Sequence, residues 1–66
     1  MTVEINGNAR DFPELRTIAD LVQHLGLPAS ALLIEHNGTA LRRDEWGAIG
    51  LSGGDRIEVL RIAAGG

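Results

Sequence analysis

Asn-Gly occurs twice in the chain, at Asn6-Gly7 and Asn37-Gly38, and each time it follows a short segment with strand character. Both central residues of a type I′ turn need positive φ, which Asn and Gly adopt at low cost, so each dipeptide predicts a tight hairpin. Before the first, Thr2 to Ile5 alternates, with Val3 and Ile5 on one face and Thr2 and Glu4 on the other. Asn8 to Phe12 is expected to return antiparallel until Pro13, which has no amide hydrogen to donate. Around the second, Leu32 to His36 reads as a strand and Thr39 to Leu41 as its short return. Two hairpins at these positions leave little freedom for what lies between and after them.

Between them the period changes. Ile18, Leu21, Val22 and Leu25 stand at i, i+3, i+4 and i+7, one stripe of a helix, while Asp20, Gln23 and His24 face away. Thr17 followed by Asp20 is a variant of the capping box. At the other end Gly26 suits a left-handed cap, Leu27 can cover the last turn and Pro28 blocks continuation. Arg42 to Gly50 has no sustained periodicity and reads as a turn with a short helical piece leading to Leu51. Ser52-Gly53-Gly54-Asp55 is a turn cluster, and Arg56 to Ile62 is the last strand, with Ile57 and Val59 on one face and Glu58, Leu60 and Ile62 on the other.

The order is thus β-β-α-β-β-β. One helix needs one sheet face to cover, so the expected fold is α+β: a mixed four- to five-stranded sheet packed on a single helix, the β-grasp (ubiquitin-like) arrangement. The first and last strands are expected to pair in parallel at its centre, joined by the right-handed crossover the helix supplies. The inward faces assign Val3, Ile5, Ile18, Leu21, Val22, Leu25, Ile34, Ile57 and Val59 to the core.

Composition narrows the function. The chain has 66 residues and no cysteine, so it has neither disulfides nor a thiolate site, and a chain of this length buries only about 60% of its unfolded surface. A large enclosed active site is excluded. Six arginines and no lysine against nine acidic residues give a net charge of −3, which argues against phosphate-neutralising nucleic-acid binding and for a basic partner surface. No apolar stretch approaches the ~20 residues a membrane helix needs, and no leader pattern opens the chain. We therefore expect a complete, cytoplasmic protein, one domain over residues 1–66 with a flexible tail at 63–66.

Residues that could carry chemistry are few. His24 and His36 lie on different elements without partners at ligand spacing and read as a solvated helix residue and a half-buried strand residue; no metal or bound cofactor is expected. Gly53-Gly54-Asp55 leads into a strand and lacks the Lys and Ser/Thr of a phosphate loop, so it reads as a turn. Trp46 is either a binding anchor or, more simply, a cap on the core edge, and Asp44-Glu45 is solvated surface. There remains the end of the chain. Ala63-Ala64-Gly65-Gly66 follows an apolar strand, and side chains this small can thread a narrow channel and leave the Gly66 carboxylate unhindered. Gly66 is the expected reactive group and Gly65 supplies clearance. Leu60, Ile62, Glu58, Ala63 and Ala64 are the expected partner-binding residues, with Glu58 and Asp55 steering a basic partner. A carboxylate must be activated before it accepts a nucleophile, so a partner enzyme would have to supply ATP.

The chain resembles the ThiS family of sulfur carriers in thiamine biosynthesis, within the ubiquitin-like superfamily, over essentially its whole length. The resemblance lies in Ile5-Asn6-Gly7, Thr17-Ile18 with Leu21 and Leu25, Asn37, Arg43-Asp44-Glu45-Trp46, Gly54-Asp55-Arg56-Ile57 and Ala64-Gly65-Gly66. It implies a protein cosubstrate rather than an enzyme. Gly66 would be adenylated by an E1-like adenylyltransferase (ThiF-like) and converted to a thiocarboxylate with sulfur from a donor such as a cysteine desulfurase persulfide. A thiazole synthase (ThiG-like) would then use it to build the thiazole of thiamine. The small subunit of molybdopterin synthase has the same fold and a Gly-Gly end but is usually longer, with a more aromatic and proline-rich approach to its tail than Val59-Leu60-Arg61-Ile62. A β-grasp interaction module without tail chemistry is the alternative from another class. Ubiquitin's tail also resembles Val59-Leu60-Arg61, but without lysine this chain cannot form lysine-linked polymers.

Overall fold

The structure is a computed structural model that describes residues 1–62. Its strands are β1 (Thr2–Ile5), β2 (Asn8–Asp11), β3 (Leu32–His36), β4 (Thr39–Leu41) and β5 (Arg56–Arg61), with one helix, α1 (Ile18–Leu25), and 3-10 turns at Ala29–Ala31 and Arg43–Glu45. The sheet runs β2-β1-β5-β3-β4. β1 and β5 are parallel neighbours, Glu4 beside Arg56 and Ile5 beside Ile57, whereas β3 runs antiparallel to β5 from Leu32–Arg61 to His36–Ile57. This is the expected mixed β-grasp sheet, with the first and last strands paired inside it.

Each hairpin turns where positive φ is available: Asn6 and Gly7 at 50° and 85°, Asn37 and Gly38 at 49° and 88°. The helix begins on a complete capping box. Thr17 Oγ1 accepts from the Asp20 amide at 3.1 Å, and Asp20 Oδ2 accepts from the Thr17 amide at 3.2 Å and the Arg16 amide at 2.9 Å. Gly26 ends it with φ at 71°.

The core joins Ile18, Leu21 and Val22 of the helix to Val3, Ile5, Ile34 and Ile57 of the sheet. Leu25 and Val59, expected inside, are only half-buried; Leu25 is the last residue of α1, and Val59 packs against the edge of the core from within β5. Phe12, Leu32, Trp46 and Leu51 take fuller places in the core instead. β2 stops at Asp11, one residue short of expectation, and Phe12 turns into the core as the chain leaves the sheet. β5 likewise stops at Arg61, although the Ile62 amide still donates to the Ala31 carbonyl at 2.6 Å.

The segment after β4 has a definite task. The carbonyls of Ile49 and Trp46 accept from the amides of Ile18 and Ala19 at 3.0 and 3.1 Å, occupying donors that a helix leaves open in its first turn. Trp46 is thereby drawn inward to 4% exposure, a core residue rather than a surface anchor.

Leu21 is fully buried, so Leu21→Ala should cost about 2 to 5 kcal/mol, a large share of the stability of so small a fold. Urea denaturation of the variant measures it; a midpoint equal to the parent's would mean that the stripe is not the core face.

Candidate functional site

The chain end is reached through β5, so what holds β5 sets where the tail begins. β1 turns away after Ile5, once the Asn6 amide has donated to the Ile57 carbonyl at 2.9 Å. The next peptide groups of β5 on that side would lose their strand partner. The Asn6 side chain replaces it: its Oδ1 accepts from the Val59 amide at 2.7 Å and its Nδ2 donates to the Val59 carbonyl at 3.1 Å. At the other end of β5, Asn37 Oδ1 accepts from the Arg56 amide at 2.8 Å, and the Asn37 amide donates to the Arg56 carbonyl at 2.8 Å. The sequence reading took these asparagines only as turn residues, since one chain position carries no sign of a side-chain bond 53 residues away.

Asp55 secures the start of the strand. One oxygen, Oδ2, accepts from the Ser52 amide at 2.9 Å and from His36 Nε2 at 2.9 Å, while Oδ1 accepts from Asn37 Nδ2 at 3.2 Å. Burial pushes its carboxyl up, but the hydrogen bonds from His36, Ser52 and Asn37, with the charge of His36, more than offset this and hold it below its ordinary value of 3.8. Asp55 is therefore engaged within the fold by both of its oxygens. His36 is half-buried as expected but has a carboxylate partner that its spacing in sequence did not reveal. His24 is exposed and meets the Phe12 ring edge-on at 5.5 Å. Among the described residues no group of three His, Asp or Glu could hold a metal ion.

The face of the sheet away from the helix carries Leu60, 62% exposed, and Leu33, 52% exposed, directly opposite each other on β5 and β3. Ile62, 45% exposed, follows at the chain's exit. Leu33 was missed by the sequence reading, although the parity of Leu32-Leu33-Ile34 places it outward and its pairing with Leu60 follows from the sheet order. Glu58 is exposed on the same strand, in register with Glu35. Ala63, Ala64, Gly65 and Gly66, the remaining expected site residues, lie outside the described residues. The arrangement amounts to a sheet whose internal strand leads into the terminal segment beside an exposed apolar pair.

Sheet order, single helix and pairing define a ubiquitin-like β-grasp protein. The family model described as ThiS family matches residues 3–66, and the chain belongs to that family. The crystal structure of the thiamine biosynthesis protein (ThiS) from Geobacter metallireducens is 26% identical, with a TM-score of 0.83 and all of both chains covered. The solution structure of a thiamine biosynthesis protein from the same organism gives 0.82 at 26% identity, covering all of this chain and 88% of the other. A thiazole synthase of Paramagnetospirillum magneticum is 26% identical over all 66 residues, which span only 20% of that relative's length.

A carboxylate whose pKa is lowered on folding adds stability that is complete above its unfolded value and is lost as pH falls through its folded value. The Asp55 contribution should thus be present in full above about pH 4 and disappear below it. Asp55→Asn should lower the urea midpoint at neutral pH and flatten its decline between about pH 5 and about pH 2; parent and variant curves running parallel throughout that range would contradict the assignment.

Proposed function

We propose that the chain is a sulfur carrier for thiazole formation and that its Gly66 carboxylate is the group that carries the sulfur. The observation that supports this most is structural position in a ThiS-family chain: β5, clasped along its length, runs out beside the exposed Leu33–Leu60 pair toward Ala63-Ala64-Gly65-Gly66. An exposed apolar pair at the root of a reactive end gives a partner something to grip while it aims that end.

In this reading the carrier is a cosubstrate and its enzymes supply the catalytic groups. A Gly66 carboxylate oxygen attacks the α-phosphorus of ATP on a ThiF-like adenylyltransferase, and pyrophosphate leaves. The terminal sulfur of a donor persulfide attacks the acyl carbon and displaces AMP. Reduction of the resulting acyl disulfide by a thiol breaks the S–S bond, leaving the thiocarboxylate on Gly66 and a disulfide between the reductant and the donor. A thiazole synthase then takes up the sulfur. The relative from Paramagnetospirillum magneticum supports that last partner, because a protein named for thiazole synthesis includes a region similar to this whole chain. Joining two partners in one chain raises their effective concentration for each other. Gly65 has the clearance role, since a Cβ there would narrow the fit to a channel and restrict φ.

Incubation with the adenylyltransferase, ATP and a sulfur source should replace one carboxylate oxygen by sulfur in the intact mass. Deleting Gly66 should abolish this without moving the thermal transition. Leu60→Asp should leave folding intact and weaken binding to the adenylyltransferase. Failure to acquire sulfur with an enzyme active on a control carrier, or equal acquisition by the truncated chain, overturns the carrier reading and favours an interaction module.

A further inference from the structure

Glu35 and Glu58 stand directly opposite each other on β3 and β5. Opposed residues in an antiparallel pair have Cβ atoms about 4.5–5.5 Å apart, and like charges at that separation destabilise the sheet. Neither carboxylate has a side-chain hydrogen bond or an ion pair within 4 Å among the described residues. Arg56 borders the same shallow cleft as the two glutamates without closing on either, and in the sheet it lies beside Glu4. Among the described residues the two glutamates thus face each other without a direct ion-pair partner.

The pair lines one side of a groove of about 170 Å³ whose other walls include Leu33, Leu60, Ala40 and Leu41. An apolar floor beside two carboxylates that lack a direct ion-pair partner among the described residues fits one kind of visitor: a protein segment carrying an apolar side chain next to a cation. We propose that Glu35 and Glu58 together receive a single arginine or lysine from a protein partner while that partner's apolar neighbour covers Leu33 and Leu60. A guanidinium suits the role best, because its planar fork can donate to both carboxylates at once. The pair lowers the stability of the free carrier and raises its affinity in the complex, which makes the groove selective for a basic, apolar-tipped surface and against an acidic one. The proposal rests on the carrier reading for the identity of the partner, but the intramolecular repulsion does not.

The test uses the full chain with Glu35→Gln, Glu58→Gln and both together, titrated against the purified adenylyltransferase and the purified thiazole synthase of the same organism. Each single variant should raise the urea midpoint and weaken binding to at least one enzyme by roughly tenfold at low salt. The double variant should lose little more than either single, because both remove the same cation's site. Unchanged affinity for both enzymes, or fully additive losses, overturns the shared-cation assignment while leaving the carrier reading intact. An unchanged urea midpoint in every variant overturns the repulsion on which it is built. A parent that binds neither enzyme overturns the carrier reading, and this partner with it. Self-association of the parent by light scattering, lost in the variants, would give the groove to a second copy and overturn the proposal.

Discussion

An internal strand must satisfy its backbone on both sides, and in this molecule β5 outlasts β1. The Asn6 side chain resolves the shortfall by presenting a donor and an acceptor to Val59, as a further residue of β1 would have done. Asn37 and Asp55 perform the corresponding task where β5 begins. Without these bonds the strand would have unmatched peptide groups at both ends, and the segment that leads to the terminus would start from a loose position. The hairpins therefore do two things: they reverse the chain, and their turn residues lock the strand between them.

That arrangement separates holding from reacting. The core, the helix cap and the loop carrying Trp46 place the sheet, and the sheet places the root of the tail. The chemistry proposed for Gly66 would make no demand on the interior, which suits a chain too small to enclose a large active site. In the proposed role recognition would fall to the outer sheet face, where an apolar pair and an acidic pair lie side by side on β3 and β5.

Local patterns in the sequence were enough for every strand and for the helix, because two Asn-Gly turns and a capped amphipathic stripe punctuate the chain strongly. What local pattern could not supply was long-range pairing of polar groups. Asn6 with Val59 and Asp55 with His36 are bonds between distant positions, and nothing in Asn-Gly or Gly-Gly-Asp distinguishes a turn from a turn that also clasps another strand. Phe12, read as the end of the second strand and left out of the core, is buried, and Trp46, read most simply as a cap on the core edge, is buried as well. Leu60 and Ile62 were legible as exposed from alternation alone, but Leu33 needed the β3–β5 register. The tail was legible only as composition, and its residues lie beyond the described part of the chain.

The most direct test of the clasped strand is native-state amide hydrogen exchange at Val59 in the parent and in Asn6→Gly, a change that keeps a turn-compatible residue but removes both side-chain bonds. In the parent, Val59 should exchange nearly as slowly as Ile34 in the adjacent strand. In Asn6→Gly, Val59 should lose protection by roughly tenfold more than Ile34 does, since losing a backbone partner opens that end of β5 locally. Equal changes at the two amides, or no change at Val59, would contradict the account.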